Sequence, residues 1–355
     1  MKKSDTTRKG ASFWNMLPTY QIMLFFVGLV IVFAAVFIPV AIYSTYPEES
    51  AEVLSSIANG DFDFSGKEED ARPMRADADV GASDEKKPES ETPLANNFAP
   101  VKLVRDQLVT PVGNGQDDVT IMIYLNGSNL ETDYGFATKD VEEMLSATLS
   151  KKVHITIQTM GTREWQRYDI ASDHTQRYVI ENRELVLKDD SLGQLNCTDP
   201  ETLSDFIKWS ARNYPADRYF LILWNHGGGP VDGFGYDQWG SYSDALTIDE
   251  LQQALNVGGV TFDFIGFDAC IMASLEICYS LYDYCDYCIL SEDFESALGW
   301  SYKGWLSQLT KNTSIPTPEL AATLIDDMVS ANRLSTSGDS STLALIDRRY
   351  VPKLF

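Results

Sequence analysis

FLILWNHGGGP (220–230) and FDFIGFDACIMASLEICYSL (262–281) are the two stretches on which the fold turns. Each carries a nearly unbroken apolar run of strand length, Tyr219–Trp224 leading into the first and Phe262–Phe267 opening the second. A strand that is apolar on both sides is covered on both sides, which is how strands of a parallel sheet read. Helix signals lie between and beyond them. Thr247-Ile-Asp-Glu250 is a capping box that opens a helix to about Leu255, and a helix follows Cys270 to about Tyr282. Upstream, Asp118–Asn126 and Val153–Met160 read as further strands, with a helix around Lys139–Leu149 between them. Trp165–Ile170 and Gln176–Ile180 alternate and suggest a hairpin. Asp199 caps and Pro200 opens a helix to about Arg212. Downstream, Tyr287–Leu290 and Leu343–Ile346 are strand-like, Pro318–Val329 is helical, and Arg348–Phe355 reads as a helix that opens and stops. The expectation is an α/β protein, a three-layer αβα sandwich around a mostly parallel sheet, over residues 117–355 and incomplete at its C-terminal end.

In open sheets of this kind, sites form beyond the carboxyl ends of the strands. Two such ends carry reactive residues. Tyr219–Trp224 runs into His226, and Phe262–Phe267 runs into Cys270. A nucleophilic thiol needs a base or an imidazolium beside it. The chain has three histidines. His154 lies inside an apolar strand and His174 in a turn, whereas three glycines follow His226 and let backbone amides approach a reacting group. Each residue also has a plainer reading: His226 as part of a Gly-rich turn, Cys270 as a buried thiol.

Four segments resemble the clostripain family of cysteine peptidases, within the wider caspase-like clan: VTIMIYLNGSNLE (119–131), the two stretches above, and SEDFESALGWSY (291–302). The resemblance rests on His226-Gly227 and Ala269-Cys270, each after an apolar strand, and implies a caspase-like fold and peptide-bond hydrolysis. By that analogy Cys270 is the nucleophile, His226 the general acid toward the leaving amine, and the amides of Gly227 and Cys270 the oxyanion donors. It implies cleavage after Arg or Lys, with Asp268 lining the pocket and Glu292, Asp293 and Glu295 as candidates for a second wall. The alternatives are a strand-end cap for Asp268 and a solvated loop for the other three acids. The loop Asn126–Glu131 is expected to rim the cleft. Several relatives mature by cutting themselves after a basic residue between His and Cys, but no Lys or Arg occurs from Tyr219 to Tyr302. Calcium activates some relatives; no EF-hand spacing supports it here, so calcium stays an open alternative and no other cofactor is expected. The alternative function is a catalytically silent binding module of the same fold.

Charge and composition frame the rest. The 355 residues carry a formal net charge of -24, which excludes a nucleic-acid partner held by phosphate contacts. Residues 117–355 hold 17 basic and 36 acidic residues, so the excess belongs to the region read as folded. Residues 21–43 are free of charge and long enough to cross a bilayer. Lys2, Lys3, Arg8 and Lys9 precede them, so residues 1–20 are expected in the cytoplasm and the peptidase region outside. The alternative is a cleaved signal and secretion. Residues 47–116, with GKEEDARPMRADADV and Lys86-Lys87, read as an acidic disordered spacer, with 101–109 as a segment that can dock on the domain. Cys285-x-x-Cys288 has no second pair or nearby histidine to complete a zinc site, so Cys197, Cys278, Cys285 and Cys288 read as buried thiols.

Overall fold

The computed structural model describes residues 108–240, 244–296, 298–334 and 341–354. Residues 21–43, expected to span a membrane, and most of the spacer lie outside them; among the described residues no helix is long and apolar enough to cross a membrane. Among the described residues there are eight strands: β1 Val119–Asn126, β2 Val153–Met160, β3 Gln176–Glu181, β4 Glu184–Asp189, β5 Arg218–Trp224, β6 Phe262–Asp268, β7 Cys285–Leu290 and β8 Ala344–Asp347. They form one sheet in the order β4-β3-β2-β1-β5-β6-β7-β8. The five central strands β2, β1, β5, β6 and β7 run parallel. The margins β3, β4 and β8 are antiparallel, so the sheet is mixed rather than uniformly parallel.

Alternation along β1 explains the layers. Val119, Ile121, Ile123 and Leu125 join one core with α2 (Phe136–Ser146), α7 (Tyr302–Lys311) and α8 (Thr317–Leu334). Met122 and Tyr124 join the other, with α3 (Pro200–Asn213), α5 (Ile248–Gly258) and α6 (Leu275–Ser280). The unbroken apolar strands are thus those with helices on both faces. The expected caps are present: Asp199 accepts from the Glu201 amide at 2.8 Å, and Thr247 with Glu250 forms the capping box. Helix α7, which buries Tyr302, Trp305, Leu306 and Leu309 on one face, had no counterpart in the sequence reading.

Two expectations need correction. Trp165–Ile170 is not a strand; the hairpin is β3 with β4. Asn182 and Arg183 turn it with φ of 53° and 66°, the geometry of a two-residue primed turn. Arg183 stands where glycine usually announces such a turn, so the sequence signal was weak. Arg348–Leu354 forms a 3₁₀ turn rather than the first turn of an α-helix, with Pro352 inside it.

At the end of the sheet opposite the candidate site, Arg218 and Asp263 form a buried ion pair at 2.6 Å. Arg218 also donates to the carbonyls of Thr313 and Ile315, each at 2.8 Å, tying β5 and β6 to the α7–α8 connection. Residues 108–116 lie on this domain: Leu108 packs on the first core, and the Val112 amide donates to Asp117 at 2.8 Å.

Candidate active site

The adjacent parallel strands β5 and β6 end at the same edge of the sheet, Trp224 opposite Asp268. The chain beyond β5 folds back, with Gly228 donating to Gly233 at 2.8 Å and Gly235 to His226 at 2.8 Å. The Gly227 amide takes part in neither bond. A Cβ on Gly227 would overlap the Cys270 carbonyl oxygen, and one on Gly229 would lie 3.2 Å from that of Ile271. The histidine turn and the cysteine turn are therefore packed backbone to backbone, which the glycines permit. The structure brings His226, Gly227 and Cys270 into one place.

His226 is fixed on two sides. Its Nε2 lies 2.8 Å from the Asn129 side-chain oxygen, and its ring stacks on Tyr236 with centroids 5.6 Å apart. Strand-end asparagines hold Tyr236 in turn: Asn126 donates to its carbonyl at 3.0 Å, and its amide donates to Asn225 at 3.1 Å. Burial pushes the His226 pKa down to about 4, so the imidazole is neutral at pH 7.

Cys270 is half-buried, and the loop after β7 straps its turn. Ile271 donates to the Asp293 carbonyl at 3.0 Å and Ala273 to that of Ser291 at 2.7 Å. Ile271 has a φ of 50°, a left-handed conformation rare for a β-branched residue and found where surroundings enforce it. The Glu295 amide donates to the Cys270 sulfur at 3.3 Å, which favours a thiolate. Burial outweighs it and raises the thiol pKa, so sulfur and imidazole both rest neutral.

Beside Cys270 sits a group of buried acids. Asp268, 5% exposed, accepts from the Trp300 amide at 3.2 Å and the Tyr302 hydroxyl at 2.8 Å. Asp140, from α2, accepts from the Trp224 indole at 2.7 Å. A Cβ on Gly299 would lie 2.9 Å from Asp268 and 3.5 Å from Asp140, so this glycine lets the backbone close over both. The buried Glu295 carboxyl lies beside Asp268 and the Trp300 indole. Burial raises all three carboxyls, Asp268 to about 7, and proximity to Asp268 adds to the shifts of Asp140 and Glu295. Glu292 and Asp293 are exposed on the outer side of the loop, where Asp293 caps the Phe294 amide at 2.8 Å. The sequence reading missed Asn129, Tyr236 and Asp140. For Asp140 a signal existed: it occupies the apolar face of α2 with Ala137, Val141 and Met144, where an acid needs a reason.

Adjacent strands whose ends bring a histidine turn against a cysteine turn, beside buried acids, give a protein with the parts of a cysteine hydrolase. Over residues 123–354 the sequence matches the clostripain family, peptidase family C11, and the chain belongs to that family. It is 29% identical over 195 residues to clostripain of Hathewaya histolytica, an alignment covering 47% of this chain and 36% of clostripain. The chain thus spans well under half the length of that relative. Its fold resembles a secreted C11 cysteine protease from Bacteroides thetaiotaomicron bound to an irreversible peptide inhibitor, with a TM-score of 0.54 and 22% identity over 67% of this chain and 68% of the other. It also resembles an inactive zymogen C11 protease from Parabacteroides distasonis, with a TM-score of 0.52 and 23% identity over 67% and 64%.

Proposed function

We propose that the chain is a cysteine endopeptidase that cleaves peptide bonds after Arg or Lys through Cys270 and His226. The observation that carries this reading is the close packing of the His226-Gly227 turn against the Cys270 turn at the ends of β5 and β6. The Cys270 thiol passes its proton to His226 as sulfur attacks the scissile carbonyl carbon. The carbonyl oxygen takes up negative charge facing the amides of Gly227 and Cys270. The imidazolium then gives its proton to the leaving nitrogen as the C–N bond breaks, and water hydrolyses the thioester to free the acid and the thiol. The neutral resting pair suits this order, since the proton is still on sulfur when the peptide arrives.

A Lys or Arg side chain is selected by Asp268 with Glu295 beside it, because a cation offsets the cost of ionising buried carboxyls. Asp140 lies deeper and adds to the field. Residues 21–43 hold the protein in a membrane with the peptidase domain outside, supported by their uncharged length and the basic residues before them. The partners are then a protein or peptide substrate and a lipid bilayer, with no nucleic acid. Incubating the full chain with a mixed peptide library, beside Cys270→Ala, tests the activity. Products ending in Lys or Arg, absent with the alanine variant, are expected. Cleavage after other residues would refute the specificity alone; no cleavage at all would refute the peptidase and leave the silent binding module. Release of the full-length protein from membranes by carbonate would refute the anchor.

A further inference from the structure

We propose that the segment joining His226 to Cys270 is proof against the enzyme's own activity, and that the working enzyme is one chain, uncut between these two residues. The inference rests on the reading that they cleave after Arg or Lys. Its first support is in the sequence. No Lys or Arg occurs from Tyr219 to Tyr302, so a pocket that takes basic side chains finds no bond to cut there. The 17 basic residues of 117–355 all lie outside that gap.

The second support is how the segment is tied. It leaves the site through α4 (Gly229–Asp232), a single turn, and then closes on itself. Phe234 and Leu246 exchange amide-to-carbonyl hydrogen bonds, each at 2.9 Å. Gly233, with a φ of 79°, stands so close that a Cβ there would lie 2.5 Å from the Leu246 carbonyl oxygen. The buried Phe234 ring meets Phe267 of β6 edge-on, centroids 5.5 Å apart. Gln238 then knots the chain beyond β5 to the loops that follow β1 and β2. Its side-chain oxygen accepts from the hydroxyl of Thr132, the last residue of α1 (Ser128–Thr132), at 2.7 Å and from the Arg163 amide at 2.8 Å. Its own amide donates to the Gly161 carbonyl at 3.1 Å, and its carbonyl accepts from the Arg163 guanidinium at 3.2 Å. The Trp239 indole donates toward the carbonyls of Thr162 at 3.1 Å and Ser172 at 3.0 Å. Two acids tie the segment to the chain before α3. Asp237 accepts from the Cys197 amide at 3.1 Å, and Asp244 from the Asn196 side chain at 3.0 Å and the Thr198 hydroxyl at 2.9 Å.

Proteolysis concentrates where a loop is exposed and its backbone is free to enter another active site. Gly233–Asp237 are buried, and Gln238 has both backbone groups and its side-chain oxygen engaged. The third support is that nothing waits for a cut: in the unbroken chain the His226-Gly227 turn is already packed on the Cys270 turn.

The test treats the full chain with a peptide acyloxymethyl ketone ending in lysine. The Cys270 sulfur bonds to the probe's methylene carbon as the carboxylate leaves. Intact mass is then read under denaturing conditions. Probe is expected on a chain that still joins His226 to Cys270, whatever cuts occur elsewhere. Probe found only on pieces that begin between Gly227 and Ala269 would overturn the proposal. The ties are read separately in Cys270→Ala, where self-cleavage plays no part, as the rate of chymotrypsin nicking at Trp239. Adding Gln238→Ala should speed nicking roughly tenfold or more, the effect of two lost hydrogen bonds on the open population. Gln238→Glu, which keeps the acceptor, should restore resistance. Nicking of the Gln238 parent as fast as the alanine variant would also overturn the proposal. The probe arm needs no variant and carries the test if Gln238→Ala fails to fold. The nicking arm is independent of turnover: a resistant segment in a protein that takes up no probe would sink the peptidase reading and leave the tied segment standing.

Discussion

Asp268 and His226 are both driven toward their neutral forms by burial, Asp268 up to about 7 and His226 down to about 4. Their consequences for pH differ. If Asp268 must ionise to hold a cation, kcat/KM for peptides with Lys or Arg before the scissile bond rises as pH passes through about 7. Asp268→Asn should remove that limb and most of the preference for basic residues, measured as the ratio of kcat/KM for matched Arg and norleucine peptides across pH. A norleucine profile with the same limb would show that another group sets it. For stability the signs also part. Asp268 binds its proton more tightly folded than at its ordinary value of 3.8, so its contribution is full below that value and lost as pH rises to about 7. His226 binds its proton less tightly than at 6.5, so its contribution is present above that value and lost as pH falls toward 4. Asp268→Asn should therefore raise Tm most above pH 7, with the gain gone near pH 4. His226, Cys270 and Asp268 were legible because strand ends announce themselves in a single sequence. Asn129 and Tyr236 were not, because their roles arise when chain segments distant in sequence meet at one imidazole.

Elements built on continuous apolar runs and side-chain caps were readable: β1, β2, β5, β6, α3 and α5 stand close to their expected bounds. The β3–β4 hairpin and α7 were not, since one turns on Arg183 in place of glycine and the other lacks a side-chain cap bond at Ser301. Two junctions between elements carry measurable weight. Gly227→Ala puts a methyl into the Cys270 carbonyl, an overlap with backbone that no rotamer relieves. Loss of kcat by at least about 10²-fold is expected, with the fold retained by circular dichroism, because the two strand ends must part. Wild-type kcat in this variant would mean that the close approach is incidental. At the opposite end, Arg218→Met leaves Asp263 buried without its ion-pair partner. Urea denaturation should show a loss of about 3–5 kcal/mol, with part recovered in Arg218→Met/Asp263→Leu. A loss under about 1 kcal/mol would mean that water or another group replaces the guanidinium.

Across the whole chain the net charge is -24, and residues 117–355 account for most of it with 36 acidic against 17 basic residues. Two origins for a preference toward cationic peptides must be separated, the local acids at the pocket and the field of the domain. The local acids are sealed from solvent, where salt screens little; the field acts through water, where the screening length is about 10 Å at 0.1 M salt. Steering by the field speeds encounter and fades with ionic strength. Raising NaCl from 20 to 500 mM should thus lower kcat/KM for a peptide with several flanking lysines by roughly tenfold. A peptide with the same Arg before the scissile bond but neutral flanks should change little, and one with acidic flanks should improve. If all three respond alike, salt is acting on the enzyme rather than on the encounter, and the acidity of the domain then serves solubility rather than substrate capture. If the lysine-flanked peptide slows, the acidic-flanked one improves and the neutral one holds, selection is divided in space: the domain surface gathers cationic chains, and Asp268 decides which residue enters beside Cys270.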